Sequence, residues 1–440
     1  MAELSSGTTD TRPPTPAFVI DLETLERFYG RFSRALERFW PNATLAYSFK
    51  TNSLPWLITY MKSRGAWAEV VSDTEYELAL ALGYGPDQVV YNGPIKSRDR
   101  LRAALTQGSV VNLDANREVR WTCELARDHP GQDVAVGLRV NWDLEAMCPG
   151  ESATAQEGGR FGFNLDNGEF DRAVDELTQA GVRISGLHLH SSSLSRSAQV
   201  FRAAATVAAE LITSRGLDLD FVDIGGGFFG GEAPGDPTFD DYIGVIRDTL
   251  GEVVDPARTR LIVEPGRSLV AVPIEFHTSV IDVKNVGPHT IVVTDGSRTN
   301  IDPTFRRKAP YQYQLVTSSA ATSPSQIVSG FTCMEHDRLM RLNDAPALTE
   351  GDRIVYLKVG AYSMCFQPLF IEFLPPVYVR EGDMLIPVRE RWGVAEFLQG
   401  NSRPGSPELP MPPLRGDNVT TDAAGQDSDP RPDLVSRPTS

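Results

Sequence analysis

Residues 44–52 read TLAYSFKTN, a run rich in apolar side chains that ends in a lysine and other polar residues. Such a run is typical of a strand that is buried on both faces. Seven later segments share this pattern: WAEVVS (67–72), QVVYNG (88–93), SVVNLD (109–114), VAVGLRVN (134–141), RISGLHLHSS (183–192), DFVDIGGG (220–227) and TRLIVEPGR (259–267). Eight such strands predict a closed barrel.

Helical patterns lie between these strands, for example SDTEYELALALGY (72–84) and FDRAVDELTQAG (170–181). Alternation of strands and helices is expected of a parallel sheet, so we predict an α/β fold with a (β/α)8 barrel over residues 25–270. Residues 271–400 instead show strands with turn signals and form a predicted all-β domain, which a strand at residues 16–24 is expected to join. Residues 1–15 and 401–440 have few bulky apolar side chains, and we predict that both are disordered.

The composition excludes several classes of partner. The 440 residues include 42 basic and 58 acidic side chains, a formal net charge of -16, which argues against binding to nucleic acid. No apolar stretch is long enough to span a bilayer, so we expect no membrane partner and a cytoplasmic location. The four cysteines lack a CxxC spacing and are expected to be thiols, and no metal site is predicted.

The chemistry should lie where the strands end, because the active site of a parallel barrel is built at the carboxyl ends of its strands. Lys50 ends the first barrel strand, and a desolvated amine there could lose its proton and form a Schiff base. Gly225, Gly226 and Gly227 could bring backbone N–H groups close to a phosphate. Glu264 and Arg267 end the last strand, in EPGR.

Six ordered motifs resemble those of the alanine racemase-like enzymes that use pyridoxal 5'-phosphate (PLP), and within them the diaminopimelate and ornithine decarboxylases. The resemblance covers roughly residues 16–395. It rests on YSFKTN, GLHLHSSS, DIGGGF, EPGR, GFTCMEHD and GAYS. It implies a PLP-dependent decarboxylase of a small amino-acid substrate.

The resemblance also implies roles for individual residues. Lys50 would hold PLP covalently, His190 would stack on its ring, and Glu264 would pair with its pyridine nitrogen. The residues implied to hold the phosphate are Ser193, Gly227, Arg267 and Tyr362. Glu69 would be a supporting acid. We expect His188 to point to the opposite face of its strand from His190 and to be structural. Cys333 would return a proton to the substrate across a homodimer interface, which implies shared active sites.

Two departures from the family pattern concern the substrate. Met334 follows Cys333 at a position that is acidic in both named decarboxylases, where the acid recognises a distal amine; Glu335 or Asp337 could compensate. The run Arg306, Arg307 and Lys308 could instead meet a distal carboxylate or another anion, although a solvated loop is the simpler explanation. We therefore expect a modified, conjugated or carrier-bound amino acid and a specialised biosynthetic pathway, with Arg267 and Tyr362 also contacting it.

Three alternatives remain at this point. The chain could be a diaminopimelate decarboxylase that makes lysine, an amino-acid racemase on the same barrel, or a decarboxylase-like regulator without activity. Glu264 favours decarboxylation, because alanine racemases typically place an arginine at the pyridine nitrogen. A regulator of this kind usually lacks catalytic groups, but Lys50, His190, Cys333 and Tyr362 are all present here. Their presence argues against this alternative.

Overall fold

We describe the protein from a computed structural model, which covers residues 12–154, 157–230 and 235–401. The predictions of disorder at residues 1–15 and 401–440 lie almost wholly outside these described residues. Contacts divide the chain into a unit that ends at Arg391 and a second that begins at Trp392. In its described part, the second unit contains one short helix, Val394–Leu398.

The first unit begins with strand β1 (Ala17–Asp21), which leads directly into helix α1 (Leu22–Phe39). The Asp21 carboxylate accepts a hydrogen bond from the backbone N–H of Thr24 at 2.9 Å and so caps the helix. Leu25, Phe28 and Phe32 then repeat at helical spacing on the buried face of α1. The helix therefore covers one side of the barrel core.

Parallel strands form the barrel predicted from the sequence. They are β2 (Ala43–Ser48), β3 (Trp67–Ser72), β4 (Val89–Ile95), β5 (Val110–Leu113), β6 (Ala135–Asn141), the two-residue β7 (Phe163–Asn164), β8 (Arg183–His188), β9 (Phe221–Asp223) and β10 (Arg260–Val263). Pairing of β10 with β2 and of β5 with β6 closes a ring of eight, while β7 pairs only with β6 beside it. The predicted fold class is confirmed.

Helices connect these strands on the outside. They are α2 (Pro55–Ser63), α3 (Asp73–Ala81), α4 (Arg98–Thr106), α5 (Asn116–Asp128), α6 (Leu144–Met147), α7 (Glu169–Gln179), α8 (Ala198–Arg215), α9 (Phe239–Leu250) and α10 (Arg267–Val270). Inside the barrel, Phe221 packs with Ala46, Val90 and Ile262. A side chain at Gly186 would place its Cβ 2.2 Å from the Phe221 ring, so glycine is required where this ring crosses the barrel.

The remaining strands of the first unit build a second sheet. They are β11 (Ile274–Val286), β12 (His289–Thr294), β13 (Gln312–Val316), β14 (Thr322–Ser329), β15 (Arg338–Pro346), β16 (Arg353–Leu357), β17 (Val377–Glu381) and β18 (Met384–Arg389), with the short helix α11 (Arg298–Ile301) between β12 and β13. Strand β1 lies inside this sheet, antiparallel to β11 and parallel to β17. Because barrel and sheet belong to one contact unit, the domain boundary near residue 270 stays a prediction. Within the described residues, no helix combines the length and the apolar character needed to cross a membrane. The cytoplasmic location also stays a prediction.

Candidate active site

A cavity of about 930 Å³ opens where the barrel strands end. Five of the residues singled out from the sequence line it: Lys50, Glu69, His190, Glu264 and Tyr362. Glu69 lies within β3, the other three barrel residues directly follow three different strands, and Tyr362 lies in the segment after β16, so only the closed barrel brings them together. This convergence is what a barrel active site requires.

Lys50 lies in a short turn directly after β2, and its side chain is 37% exposed to the cavity. Its Nζ lies 2.5 Å from Oε2 of Glu69 and 2.8 Å from Oγ of Ser48. Desolvation acts to lower the pKa of Lys50, but the nearby charges of Glu69 and Glu264 outweigh it and raise that pKa. The expectation that burial would favour the neutral amine is therefore wrong, because two carboxylates surround the ammonium.

A chain of hydrogen bonds joins the two carboxylates that flank the lysine. Glu69 is buried and also accepts a hydrogen bond from Ser48 Oγ at 2.6 Å. Asn92, in β4, donates its amide to Oε1 of Glu69 at 3.1 Å and to Oε1 of Glu264. Asn92 thus holds both carboxylates in one arrangement.

Glu264 is the centre of a second buried group, together with Asp223 and His188. The ligand atoms of the three residues lie within 4.8 Å of one another, a spacing that could also hold a metal ion. Burial would raise the pKa of Glu264, but His188, Lys50 and a hydrogen bond with Asp223 lower it. The expectation that His188 points away from the site is wrong: it lines the cavity with His190, because residues two apart in a strand share a face.

His190 faces the glycine loop. Its Nδ1 accepts a hydrogen bond from the backbone N–H of Gly226 at 3.2 Å, and desolvation and the nearby charge of Arg139 lower its pKa to about 3. The imidazole is therefore neutral. Gly225 has a φ of +70°, and a Cβ on it would lie 2.5 Å from Cβ of His190. A Cβ on Gly226 would lie 2.4 Å from the backbone oxygen of Glu264, so both glycines permit a close approach that other residues would block.

Three further residues near this site were not predicted from the sequence, although each lies at or near the end of one of the quoted apolar runs. Besides Asn92, these are Arg139 and Asp114, whose side chains form an ion pair at 3.2 Å. Arg139 lines the cavity and stacks over the ring of Phe161 at 4.5 Å. A polar side chain at the carboxyl end of a barrel strand was the criterion that identified Lys50. The same criterion could have identified these three residues.

The described lining of the cavity does not include Ser193, Gly227 or Arg267, so their roles stay predictions. Ser193 forms an isolated β-bridge with Ser152, which joins the predicted phosphate loop to the segment after α6. Gly227 has a φ of +100°. Arg267 is the first residue of α10, next to the cavity residue Glu264.

The residues predicted to reach the substrate from the second sheet have different surroundings. Cys333 is exposed and Met334 is half-buried, on a loop between β14 and β15. Asp337 is buried, and its carboxylate accepts hydrogen bonds from Ser297, from the backbone of Arg298 and from Thr332. In this chain, that carboxylate joins two turns and does not offer a free acceptor to a substrate.

The run of Arg306, Arg307 and Lys308 is an ordered loop. The Asp302 carboxylate accepts hydrogen bonds from the backbone N–H groups of Arg306 and Arg307, both at 3.1 Å. Arg306 and Lys308 are exposed, whereas Arg307 is half-buried. Desolvation is the main cause that lowers the pKa of Arg307, and the positive charge of Arg267 also acts to lower it.

The residues at the barrel mouth fit PLP. An amine, a neutral imidazole and an anionic carboxylate line one cavity, and the glycine loop packs directly against His190 and Glu264. Fold and site together are those of a barrel enzyme that uses PLP.

Similarity to known proteins identifies the family. Residues 23–271 match the family model for the pyridoxal binding domain of the pyridoxal-dependent decarboxylases, so the chain belongs to this family. A diaminopimelate decarboxylase of Archaeoglobus fulgidus is 30% identical over 79% of this chain and 83% of that protein. A probable chloroplastic diaminopimelate decarboxylase of Oryza sativa subsp. japonica is 28% identical over 84% of this chain and 76% of that protein.

A solved diaminopimelate decarboxylase of M. jannaschii in complex with L-lysine shares the fold, with a TM-score of 0.77 at 21% identity, over 89% of this chain and 93% of that one. The predicted family, fold, cofactor and decarboxylase class are confirmed. The protein is a PLP-dependent amino-acid decarboxylase.

Proposed function

We propose that the protein decarboxylates an amino acid, or an amino-acid conjugate, whose distal part is anionic, in a specialised biosynthetic pathway. The observation that carries the substrate proposal is the lack of a free acid on the β14–β15 loop: Met334 stands where the named decarboxylases have an acid, and the Asp337 carboxylate already accepts hydrogen bonds from Ser297 and Thr332. A distal amine would therefore find few partners on this loop. Arg306 and Arg307, on the loop before β13, are the proposed partners of a distal anion instead.

The residues of this chain have the following proposed roles. PLP, when bound, supplies the electron sink for the electrons released with CO2. Lys50 holds the cofactor, and Glu69 keeps the lysine oriented through their ion pair. Glu264 pairs with the pyridine nitrogen, and His190 packs on the ring as a neutral group. Ser193, Gly227, Arg267 and Tyr362 hold the phosphate.

Decarboxylation of meso-diaminopimelate to lysine is a second candidate. It is favoured by the similarity of this chain to diaminopimelate decarboxylases, including the one from Archaeoglobus fulgidus at 30% identity. The distal end of that substrate carries both an ammonium and a carboxylate, so an arginine pair would meet only half of its charge. Recognition of the distal ammonium would then need Glu335 or an acid of a second subunit.

The test is CO2 release, measured by mass spectrometry, from a panel of amino acids. The panel contains meso-diaminopimelate, both enantiomers of lysine and ornithine, arginine, glutamate, and glutamyl and citrate conjugates of diamino acids. We expect release from an anionic conjugate and little from lysine or ornithine. Fastest release from meso-diaminopimelate would replace the main proposal with the second candidate.

A pair of variants ties the activity to the site. Lys50→Ala should reduce turnover by at least about a thousandfold, because it removes the group that holds the cofactor. Lys62→Ala is the matched control, since Lys62 lies near the end of α2, donates from Nζ to the backbone oxygen of Gly83 and does not belong to the described lining of the cavity. Equal turnover by both variants would remove Lys50 from the mechanism.

We also propose a homodimer with shared active sites, in which Cys333 of one subunit completes the site of the other. Support comes from an exposed apolar segment close to Tyr362: Phe366, Leu369, Phe370 and Ile371 are all 42–54% exposed. Apolar side chains clustered in this way mark an interaction surface. Sedimentation equilibrium should give twice the mass of the chain, and a monomer at micromolar concentration would contradict the proposal.

A further inference from the structure

Asp223 is a buried carboxyl group to which the proposed reaction gives no role. It ends β9 and has no exposed surface. Its Oδ1 accepts a hydrogen bond from the backbone N–H of Gly225 at 2.9 Å, and its Oδ2 accepts one from Asn112 Nδ2 at 3.1 Å. Its remaining neighbours at this level of the barrel are Glu264 and His188, all within 4.8 Å.

Two carboxyl groups this close and this deeply buried cannot both carry a charge without a large cost, so one of them keeps a proton. The surroundings decide which one. Glu264 lies near Lys50 and His188 and accepts a hydrogen bond from Asn92, whereas the hydrogen-bond donors to Asp223 are neutral amides. The charge is therefore better stabilised on Glu264. The pKa values agree, because burial and the charge of Glu264 raise the pKa of Asp223 well above its ordinary value.

We propose that Asp223 is a positioning residue that holds one proton and donates it in a hydrogen bond to Glu264, so that Glu264 faces the pyridine nitrogen of the cofactor as a fixed anion. This inference rests on the proposed role of Glu264. The glycine loop supports the arrangement, since the Gly225 N–H fixes the other oxygen of Asp223 and the backbone oxygen of Gly225 accepts the N–H of Glu264 at 2.8 Å. The loop that would hold the phosphate thus also orients the carboxyl pair.

His188 also lies beside the carboxyl pair formed by Asp223 and Glu264. Its Nε2 lies 3.6 Å from Oε1 of Glu264, and neither of its ring nitrogens has a hydrogen-bond partner among the described residues. At 3.6 Å its Nε2 makes no direct hydrogen bond to Glu264, so Asp223 is the proposed donor on this side of Glu264. A metal ion bound by the three residues would displace the shared proton, so metal analysis belongs to the test.

The first experiment looks for the proton itself. Infrared spectra of the holoenzyme at neutral pH should contain the carbonyl stretch of a buried, protonated carboxylic acid, and Asp223→Asn should remove it. Glu118→Gln is the matched control, because Glu118 is also fully buried but is paired with Lys96 at 3.1 Å. In Glu264→Gln the like charge is gone, so the band should titrate at a lower pH than in the wild type.

Two results would overturn the shared proton. One is a wild-type spectrum in which no carboxylic-acid band responds to Asp223→Asn or to Glu264→Gln. The other is a stoichiometric metal ion in the purified holoenzyme that Asp223→Asn removes. The Glu264→Gln comparison decides the question even where Asp223→Asn does not fold.

The second experiment reads the effect on the cofactor by NMR of holoenzyme loaded with PLP that is labelled with 15N in the ring. Without the Asp223 donor, the pKa of Glu264 rises and the proton shared with the pyridine nitrogen moves toward Glu264. Asp223→Ala should therefore move the 15N signal toward that of an unprotonated pyridine and lower kcat by about 10- to 100-fold, with a smaller change in KM. Asp223→Asn still offers an N–H donor and should restore most of the signal and the rate.

An unchanged 15N signal in Asp223→Ala would overturn the positioning role. An unchanged signal in Glu264→Gln would instead show that Glu264 does not face the ring, and the proposed function of Glu264 would fail. The infrared band is independent of that outcome, so failure of the shared proton and failure of the proposed cofactor contact can be told apart.

Discussion

Nζ of Lys50 lies 2.5 Å from Oε2 of Glu69, so the lysine that we propose to hold the cofactor is ion-paired with a buried carboxylate of the barrel. Glu69→Gln replaces the carboxylate by a neutral amide of the same shape. The pKa of Lys50 should then fall, because the opposite charge at contact distance that raises it is lost. More of the amine would be unprotonated at neutral pH, so PLP should bind covalently to cofactor-stripped enzyme faster. Absorbance after mixing, followed from neutral to alkaline pH, measures this rate.

The control for this variant is Glu77→Gln, which removes an exposed carboxylate that pairs with Arg100 on the outside of the barrel. It should leave the pH dependence of PLP capture unchanged. A Glu69→Gln variant whose capture rate has the same midpoint as the wild type would show that Glu69 does not set the pKa of Lys50.

The same ion pair makes the stability of the cofactor-free protein depend on pH. Since the pKa of Lys50 is raised in the folded state, its contribution is fully present below the unfolded lysine pKa of about 10.4 and is lost as the pH rises through the folded value. Urea unfolding of the wild type should therefore show a loss of stability at alkaline pH that Glu69→Gln lacks. Equal alkaline slopes would contradict this linkage.

The glycine loop offers a steric prediction. A Cβ at Gly226 would lie 2.4 Å from the backbone oxygen of Glu264, and neither backbone can yield cheaply. Gly226→Ala should therefore displace the loop and weaken PLP binding by about tenfold or more, equivalent to about 1.4 kcal/mol. Fluorescence titration of cofactor-stripped enzyme with PLP measures the Kd.

Gly244→Ala is the matched control, because the nearest atom to a Cβ at Gly244, in α9, is on the Phe39 ring at 3.7 Å, an ordinary contact. This variant should bind PLP normally and should be stabilised by about 0.5–1 kcal/mol through its helical position. If both alanine variants bind PLP with the wild-type Kd, close packing against Glu264 does not govern the cofactor site.

Much of this site was predictable because a parallel barrel gathers the residues that end its strands. Lys50 and Glu264 were found in this way, and Asn92 and Arg139 could have been found by the same criterion. Glu69 and His190 were predicted only from the family resemblance. The position of His188 was misjudged because His188 and His190, two residues apart, were assigned to opposite faces of the strand. The criterion therefore requires the alternation of side chains along each strand to be assigned correctly.

Other features depend on contacts that no local pattern contains. Asp337 is held by Ser297, forty residues earlier in the chain, and strand β1 is inserted between β11 and β17. The pKa of Lys50 was misjudged for a similar reason. Its direction depends on two carboxylates from other strands, whereas the sequence alone suggested only burial.

Asp337 allows its structural position to be tested against the predicted contact with substrate. Asp337→Asn weakens a buried set of hydrogen bonds to a carboxylate, so the free energy of unfolding should fall by about 2–3 kcal/mol. KM and kcat per folded molecule should stay close to the wild type. Urea unfolding and steady-state CO2 release measure the two effects, with the exposed Asp344→Asn in the same sheet as control. A raised KM with unchanged stability would instead support binding of the substrate.

The last prediction concerns Cys333, which is exposed and does not belong to the described lining of the cavity in its own chain. If it completes the site of a second subunit, Lys50→Ala and Cys333→Ala damage different halves of one shared site. Refolding the two variants together should then give mixed dimers with one intact site each, and about a quarter of the wild-type activity at random exchange. Cys365→Ala in place of Cys333→Ala is the control, because Cys365 contacts the backbone of Lys50 within its own chain. If the activity of the refolded mixture does not exceed the summed activities of the two separate variants, Cys333 does not belong to the partner's site.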